Sequence, residues 1–327
     1  MRTIDWLDGR IRIIDQTRLP AELVTIDIDS VDDLVVHIRS LAVRGAMALG
    51  VAGAFGMALA ADRATGDLDS ALADAAERLI DARPTAVNLG WGVRQLLAAR
   101  TAGADAAGLV TLALDLRDAD IEINRALSRR GAEVLAGSRT ILTHCNAGAL
   151  AGVEWGSALG VIAELHADQP LECVYVCETR PLLQGARLTA WELGQAGIDY
   201  RVIVDSAAAG LILSGRVDGV VVGADRIAAN GDVANKVGTV AHALAARQAG
   251  IPFVVAAPEA TIDPRTPSGA DIPIEIRSED EVLSVAGHRI AAPGARAWNP
   301  AFDVTPADLV SAIVTEDRTI TGRAVSH

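Results

Sequence analysis

The spacing of apolar residues changes near residue 30. Before it, period-two alternation predicts short strands at Ile11–Ile14 and Leu23–Ile28, with Asp8 and Gly9 forming a hairpin turn. From there to about Ala136 the apolar positions follow the helical period, and Pro84 interrupts them. The predicted helices are Val31–Val43, Ala46–Arg63, Leu68–Ala82, Ala86–Thr101 and Ala106–Leu135.

After Gly137, short runs of consecutive apolar residues alternate with segments of helical spacing. This pattern is typical of a parallel sheet covered by helices on both faces. The predicted strands are Thr140–Cys145, Cys173–Cys177, Val202–Asp205, Gly219–Gly223 and Phe253–Ala257, and the helices between them are Ala149–His166, Gly185–Gln195, Ala207–Ser214 and Val237–Gln248. We therefore expect an α/β fold: a small, mostly helical N-terminal domain with a β-hairpin (residues 1–136), followed by a Rossmann-like parallel-sheet domain (residues 137–327).

Composition narrows the class of partner. The chain has 327 residues, 22% of them charged, and a net charge of −13. Nucleic acids and anionic membranes are not expected as partners, because phosphate groups need clustered Lys and Arg side chains. A small anionic substrate is expected to bind through a few local basic groups or backbone amides.

Cysteine usage and the N-terminal sequence predict a cytosolic protein. The three cysteines, Cys145, Cys173 and Cys177, make an odd count that disfavours a disulfide framework. The chain begins without a basic segment followed by an apolar one. The stretch Gly45–Ala61 approaches the length of a membrane span, but we expect a buried helix there, and we expect Cys173 to fill the core.

Reactive side chains follow four of the predicted strands. Cys145, Glu178, Asp205 and Asp225 each come directly after an apolar run. In open α/β sheets, ligands bind outside the carboxyl ends of the strands. The sequence therefore predicts a functional site at this edge.

Two of these residues have both a structural and a functional interpretation. Cys145 is either a small buried residue or a reactive thiol, whose thiolate a following helix N-terminus would favour. Asp225 is either a turn or cap residue or a proton donor. Asp205 and Ser206 are expected to cap the helix that follows them.

Basic residues at predicted helix starts suggest anion binding. Arg44, Gly45 and Ala46 precede an apolar helix, and Arg83 stands before Pro84, which resembles a first helical residue. The alternative is a solvated Arg beside an ordinary helix start. Asn235 and Lys236 enter the last predicted helix, where Lys236 would pair with Asp225 or reach a phosphate.

No metal site or cofactor is expected. His144 adjoins Cys145, but neighbouring residues on a strand point to opposite faces, and no CxxC or HxxxH spacing occurs. Neither a Walker-type loop nor a GxGxxG sequence is present, so nucleotide binding is not indicated.

Longer motifs give the chain a resemblance to a known family. They are Arg44-Gly-Ala, Arg83-Pro-Thr-Ala-Val-Asn, Thr143-His-Cys-Asn-Ala-Gly, Glu178-Thr-Arg-Pro-Leu-Leu-Gln-Gly-Ala-Arg-Leu-Thr-Ala-Trp-Glu-Leu, Gly223-Ala-Asp-Arg-Ile-Ala-Ala-Asn-Gly-Asp-Val-Ala-Asn-Lys, Ala256-Ala-Pro, Ile272-Pro-Ile-Glu and Asn299-Pro-Ala-Phe-Asp-Val-Thr-Pro. In this order they resemble the methylthioribose-1-phosphate isomerases, from about residue 5 to residue 316.

The resemblance implies an aldose–ketose isomerase of methionine salvage that forms a homodimer and needs no cofactor. The resemblance implies that Cys145 is the catalytic cysteine and Asp225 the proton donor. We expect the Asp225 carboxyl group to be protonated in a pocket that excludes water. The residues that match the family's substrate-binding positions are Arg44, Gly45, Ala46, Arg83, Gln184, Asn235 and Lys236.

At two positions the sequence differs from the family pattern, and these differences leave the 5-substituent of the substrate undetermined. Met47-Ala-Leu stands where Pro-Ala-Ile is usual, and Cys177 stands where Asp is usual. Met47 follows the expected phosphate-binding amides, where it would reshape the pocket for another 5-substituent. The alternatives are an isomerase of 5-deoxyribose 1-phosphate or ribose 1,5-bisphosphate, and a non-catalytic regulatory subunit of a translation-initiation exchange factor.

Overall fold

The N-terminal strands form a three-stranded antiparallel sheet of β1 (Ile4–Leu7), β2 (Arg10–Ile14) and β3 (Thr25–Ile28). The computed structural model describes residues 2–84 and 86–321. Asp8 and Gly9 have φ values of 50° and 73°, as a tight two-residue hairpin turn requires. The predicted hairpin turn is confirmed.

Five helices follow: α1 (Val31–Arg39), α2 (Ala46–Arg63), α3 (Leu68–Ala82), α4 (Val87–Thr101) and α5 (Ala106–Val134). The Asp67 side chain caps α3 by accepting the Ser70 backbone N–H at 3.0 Å. Helix α2 is long and apolar enough to cross a membrane by length and composition, yet 72% of it is buried inside the protein. That burial is what a core helix shows, as the sequence predicted.

The C-terminal part is built on a seven-stranded sheet with the order β16-β15-β10-β7-β4-β5-β6. Its strands, in chain order with those of two smaller sheets, are β4 (Thr140–Thr143), β5 (Cys173–Cys177), β6 (Tyr200–Ile203), β7 (Gly219–Val222), β8 (Arg226–Ala228), β9 (Val233–Lys236), β10 (Phe253–Ala256), β11 (Ile262–Asp263), β12 (Ser284–Val285), β13 (His288–Arg289), β14 (Phe302–Thr305), β15 (Ala312–Val314) and β16 (Thr319–Thr321). The six strands from β15 to β6 run parallel, and β16 is antiparallel to β15. The predicted α/β class with a parallel sheet is confirmed.

Short helices connect these strands: α6 (Ala158–Asp168), α7 (Ala190–Gln195), α8 (Ala208–Leu213), α9 (Thr239–Ala249) and α10 (Asp280–Leu283). A π-helical turn at Gly185–Thr189 leads directly into α7. Two predicted helix starts are wrong. Helix α6 begins at Ala158 instead of Ala149, because residues 144–157 form a loop of turns and bends. Helix α9 begins at Thr239, since Gly238 has a left-handed φ of 107°.

A second sheet, of order β11-β8-β9-β14, was not predicted. Its strands have two to four residues, which is too short for a clear period of apolar positions. Strand β14 also pairs with β9 from a distant part of the chain, with Thr305 opposite Val233.

The described chain contains two compact units. One comprises residues 2–84, 86–123 and 148–156, and the other comprises residues 124–147 and 157–321. Each has its own apolar core, around α2 in the first and around β7 and β10 in the second. The domain boundary between residues 136 and 137 stays a prediction, and residues 322–327 of that predicted domain lie outside the described residues.

Candidate active site

Cys145 and Asp225 follow two strands that are neighbours in the sheet. β4 and β7 pair in parallel, with Ile141 opposite Gly219, so their carboxyl ends lie side by side. The chain runs from β4 outward to β5 and β6 and then returns to β7 on the other side of β4. The boundary between β4 and β7 is therefore the switch point of the sheet, where open α/β folds bind ligands.

The backbone of Cys145 is held by two threonine hydroxyls. Its φ of 67° lies in the left-handed region, which costs a non-glycine residue about 1 kcal/mol or more. Its N–H donates to Thr179 Oγ1 at 2.9 Å, and its carbonyl accepts from Thr189 Oγ1 at 2.7 Å. Thr179 in turn donates to the Cys177 carbonyl at 2.9 Å. These bonds fix the turn that carries the thiol beyond β4.

Gln184 contacts the thiol directly. Its Nε2 lies 3.3 Å from Cys145 Sγ and donates to it, which stabilises negative charge on sulfur. The side chain is buried, and its Oε1 has no hydrogen-bond partner within residues 2–84 and 86–321. A buried acceptor beside a thiol is suited to receive a hydroxyl group of a ligand.

The loop after β5 positions Thr179 and Gln184. The Asp205 carboxylate accepts the backbone N–H groups of Thr179 and Arg180 at 2.8 and 2.7 Å. A Cβ atom at Gly185 would overlap the Cys177 carbonyl oxygen, so only glycine fits there. The expected capping role of Asp205 is wrong: its carboxylate spans to the neighbouring loop, and the short helical turn at Asp205–Ala207 has no side-chain cap.

Cys145 lacks the expected helix start. No helix begins within residues 144–157, which the structure describes in full. The prediction that a helix N-terminus would favour its thiolate is therefore wrong. Near the sulfur, the structure places the Gln184 amide instead.

Asp225 stands at the entrance to β8, and its N–H donates to the Ala234 carbonyl at 2.9 Å. Its side chain is exposed, so the expected dry pocket around it is absent from this structure.

Asn235 and Lys236 end strand β9 instead of entering a helix. Asn235 is buried and donates to Thr239 Oγ1 at 3.0 Å. Lys236 Nζ donates to the Ala301 carbonyl at 2.7 Å and lies 4.7 Å from the centre of the Phe302 ring. This segment adjoins the loop of residues 144–157, called the Cys145 loop below. The next carbonyl along the chain, that of Val237, lies 3.0 Å from His144 Nε2.

The remaining predicted residues lie in the first unit. Helix α2 begins at Ala46 as predicted, and Gly45 has a φ of 97° where a Cβ atom would overlap the Ala151 backbone. Arg83 is the C-terminal cap of α3, and α4 begins only at Val87. Pro84 is therefore not a first helical residue, and Thr85 of the predicted motif lies outside the described residues.

Three buried side chains capable of binding a metal converge beneath the Cys145 loop. They are His144, Cys177 and His242, whose ligand atoms all lie within 4.8 Å of one another. Burial lowers the pKa of His144 to about 4 and that of His242 to about 3, so both imidazoles are neutral near pH 7. Spacing along the chain gave no sign of this cluster, because each residue comes from a different element.

Sequence reasoning also missed Thr179 and Thr189. Both lie within the Glu178–Leu193 motif. A threonine that hydrogen-bonds to a distant backbone group leaves no repeating pattern in the sequence, so these contacts could not be predicted. Their contacts with Cys145 span 34 and 44 residues of sequence.

Comparisons with known proteins identify the family of the chain. A model of the Initiation factor 2 subunit family matches residues 42–321. The methylthioribose-1-phosphate isomerase of Thioalkalivibrio sulfidiphilus is 50% identical over 321 residues, covering 97% of this chain and 92% of that protein.

Two solved structures have the same fold over nearly the whole chain. The 5-methylthioribose 1-phosphate isomerase of Pyrococcus horikoshii has a TM-score of 0.91 at 41% identity, covering 98% of this chain and 92% of that one. A chain named translation initiation factor eIF-2B, subunit delta, from A. fulgidus has a TM-score of 0.89 at 44% identity, covering 99% and 96%. The chain therefore belongs to the Initiation factor 2 subunit family and, within it, to the methylthioribose-1-phosphate isomerases.

Proposed function

We propose that this chain converts 5-methylthioribose 1-phosphate to 5-methylthioribulose 1-phosphate. The observation that carries the proposal is the placement of Cys145 and Asp225 after adjacent parallel strands at the switch point of the sheet. A thiol and a carboxyl group placed here are able to act as the base and the acid of an isomerisation. A relative that is 50% identical in sequence is named methylthioribose-1-phosphate isomerase.

The phosphate on C1 determines the role of the carboxyl group. It prevents the sugar ring from opening as a free hemiacetal does, so the ring oxygen needs a proton before its bond to C1 breaks. Asp225 donates that proton to the ring oxygen as a general acid. It later accepts the proton lost from the hydroxyl on C2, so the enzyme returns to its starting state.

Cys145 acts while the hydrogen on C2 moves to C1. In one route the thiolate removes this hydrogen as a proton and returns it to C1 through an enediol. In the other the hydrogen moves directly as a hydride, and the thiolate stabilises the electron-poor carbon. Gln184 serves both routes, since its N–H donates to the sulfur and its free Oε1 accepts a sugar hydroxyl.

The other proposed substrate-binding residues follow from the family motifs. Arg44, Gly45, Ala46 and Arg83 are proposed to bind phosphate, and Asn235 and Lys236 to contact the substrate beside Asp225. The sulfur atom of Met47 lies 3.9 Å from Asn88 Nδ2. Met47 is the residue proposed to determine which 5-substituent the enzyme prefers. Cytosolic location and a homodimer are further proposals, supported by three free cysteines and by the family resemblance.

A comparison of three substrates tests this function. The purified protein is assayed with ribose 1-phosphates that carry 5-methylthio, 5-deoxy or 5-phospho groups, and kcat/KM is compared. We expect the 5-methylthio sugar to be preferred. Preference for another sugar would change the substrate, and turnover of none would favour the regulatory-subunit alternative suggested by the name of the A. fulgidus chain.

A further inference from the structure

His144, Cys177 and His242 form a buried cluster in which three separate elements meet. His144 follows β4, Cys177 ends β5, and His242 lies on α9. They are 1%, 0% and 3% exposed. His242 Nε2 lies 3.3 Å from His144 Nδ1 and 3.6 Å from Cys177 Sγ.

The hydrogen-bond partners of the two histidines show which nitrogen atoms face the centre of the cluster. The Val237 carbonyl can only accept, so His144 Nε2 carries the hydrogen and His144 Nδ1 presents a lone pair to the cluster. If His242 Nε2 carries a hydrogen, it donates to His144 Nδ1 at 3.3 Å, and the buried His242 Nδ1 has no partner among the described residues. If a metal binds Nε2, the hydrogen moves to Nδ1 and that buried N–H has no acceptor among the described residues, a cost that the metal bonds must exceed.

We propose that His144 Nδ1, Cys177 Sγ and His242 Nε2 bind a zinc ion. Tetrahedral zinc, with bonds of about 2.0–2.1 Å to nitrogen and about 2.3 Å to sulfur, places two nitrogens about 3.3 Å apart and nitrogen and sulfur about 3.6 Å apart. The two measured separations match these values. Zinc binding also requires the third pair, His144 Nδ1 and Cys177 Sγ, which lie within 4.8 Å of each other, to be about 3.6 Å apart.

The surroundings of His144 are those of a metal ligand. Metal-binding histidines usually donate their other ring N–H to a carbonyl or carboxylate, and His144 donates to the Val237 carbonyl. Asp205 Oδ1 lies 3.9 Å from His144 Nδ1, outside the three-residue group, where its negative charge stabilises a nearby cation. With one thiolate ligand and this carboxylate close by, most of the charge of a zinc ion is balanced, which makes its burial tolerable.

Protonation also suits metal binding. Burial keeps both imidazoles neutral near pH 7, which leaves their lone pairs available. Burial raises the pKa of the Cys177 thiol, so zinc must displace its proton on binding. The bound ion would join β4, β5 and α9 beneath the Cys145 loop, a structural role independent of the isomerase chemistry.

Cobalt(II) is the probe for this site, because a thiolate ligand gives it a charge-transfer absorption band. The chain is unfolded, freed of metal with a chelator and refolded with Co²⁺ or Zn²⁺, since the site is buried. We expect one ion per chain, a thiolate–cobalt band, and loss of that band in Cys177→Ser. The affinity of Cys177→Ser should fall by about 100-fold or more, at least as much as a lost outer-shell partner costs.

Cys173→Ser is the matched control, because Cys173 lies on the same strand and outside the cluster. It should keep the band. His242→Gln is the second variant, and circular dichroism shows whether each variant folds. Absence of stoichiometric metal from the refolded wild-type chain, or a band unchanged in Cys177→Ser, would show a hydrogen-bonded cluster only. Should both variants misfold, sulfur and nitrogen coordination of the wild-type ion by X-ray absorption decides the matter.

Discussion

Thr179 Oγ1 lies 2.9 Å from the backbone nitrogen of Cys145 and accepts its N–H, although the two residues are 34 positions apart. Thr179→Val keeps the shape and removes this acceptor. An unsatisfied buried N–H costs about 1–3 kcal/mol, so we expect kcat to fall about tenfold with little change in KM. Steady-state kinetics measure both. Thr179→Ser retains the hydroxyl and should restore most of kcat; a Val variant as active as wild type would contradict the role.

Gln184 should control the reactivity of the Cys145 thiol. Gln184→Leu removes the N–H that donates to Sγ at 3.3 Å. Without this donor the thiolate is less stabilised, and we expect slower alkylation of Cys145 by iodoacetamide together with a higher KM. Mass spectrometry follows the modification of each cysteine separately. Cys173 is the internal control, and an unchanged rate at Cys145 would refute the assignment.

Gly185 should be intolerant of any side chain. In Gly185→Ala the new Cβ atom would overlap the Cys177 carbonyl oxygen, and both groups belong to the backbone or lie directly on it. We expect a loss of about 3 kcal/mol in the free energy of unfolding, the upper end for overpacking. Gly210→Ala is the control, since nothing lies within 4 Å of its Cβ position in α8. Denaturant unfolding should show no loss for that variant.

Acid should destabilise the metal-free chain through its two buried histidines. Burial lowers the pKa of His144 to about 4 and that of His242 to about 3, while both are near 6.5 when unfolded. Lys236 lowers the pKa of His144 further, and Asp205 raises that of His242. Below pH 6.5 the unfolded chain takes up protons that the folded chain refuses, so stability falls as pH decreases.

The free energy of unfolding should decrease by about 1.4 kcal/mol per pH unit for each histidine as the pH falls from 6.5 to 4. Urea unfolding of chelator-treated protein at several pH values measures it. In His242→Gln the dependence of the free energy of unfolding on pH should be weaker by the contribution of one histidine. An identical slope in that variant would show that His242 is protonated equally in both states.

Some elements were predictable because local chemistry defines their ends. The bounds of α2 and α3 match the prediction, and α3 starts where the Asp67 side chain caps it. The strand Cys173–Cys177 is likewise as predicted, since it is short, apolar and flanked by polar residues. Cys145 and Asp225 were identifiable as candidates because each follows an apolar run, where a parallel strand ends.

Other features depend on contacts between distant residues. The loop at residues 144–157 has apolar positions with helical spacing, yet its backbone bonds elsewhere: the Ala151 carbonyl accepts the N–H of Ala48. The exposure of Asp225 depends on how β8 and β9 fold away from the main sheet. The meeting of His144, Cys177 and His242 requires three elements to pack first.

Cys145 and Asp225 are proposed to carry the isomerisation. The decisive measurement is kcat/KM for 5-methylthioribose 1-phosphate in Cys145→Ser and Asp225→Asn, with Cys173→Ser as the control and circular dichroism as the check of folding. Positioned acid–base groups typically contribute about 10²-fold or more, so both variants should fall by at least that factor while the control stays near wild type. Turnover near wild type in either folded variant would contradict the assignment.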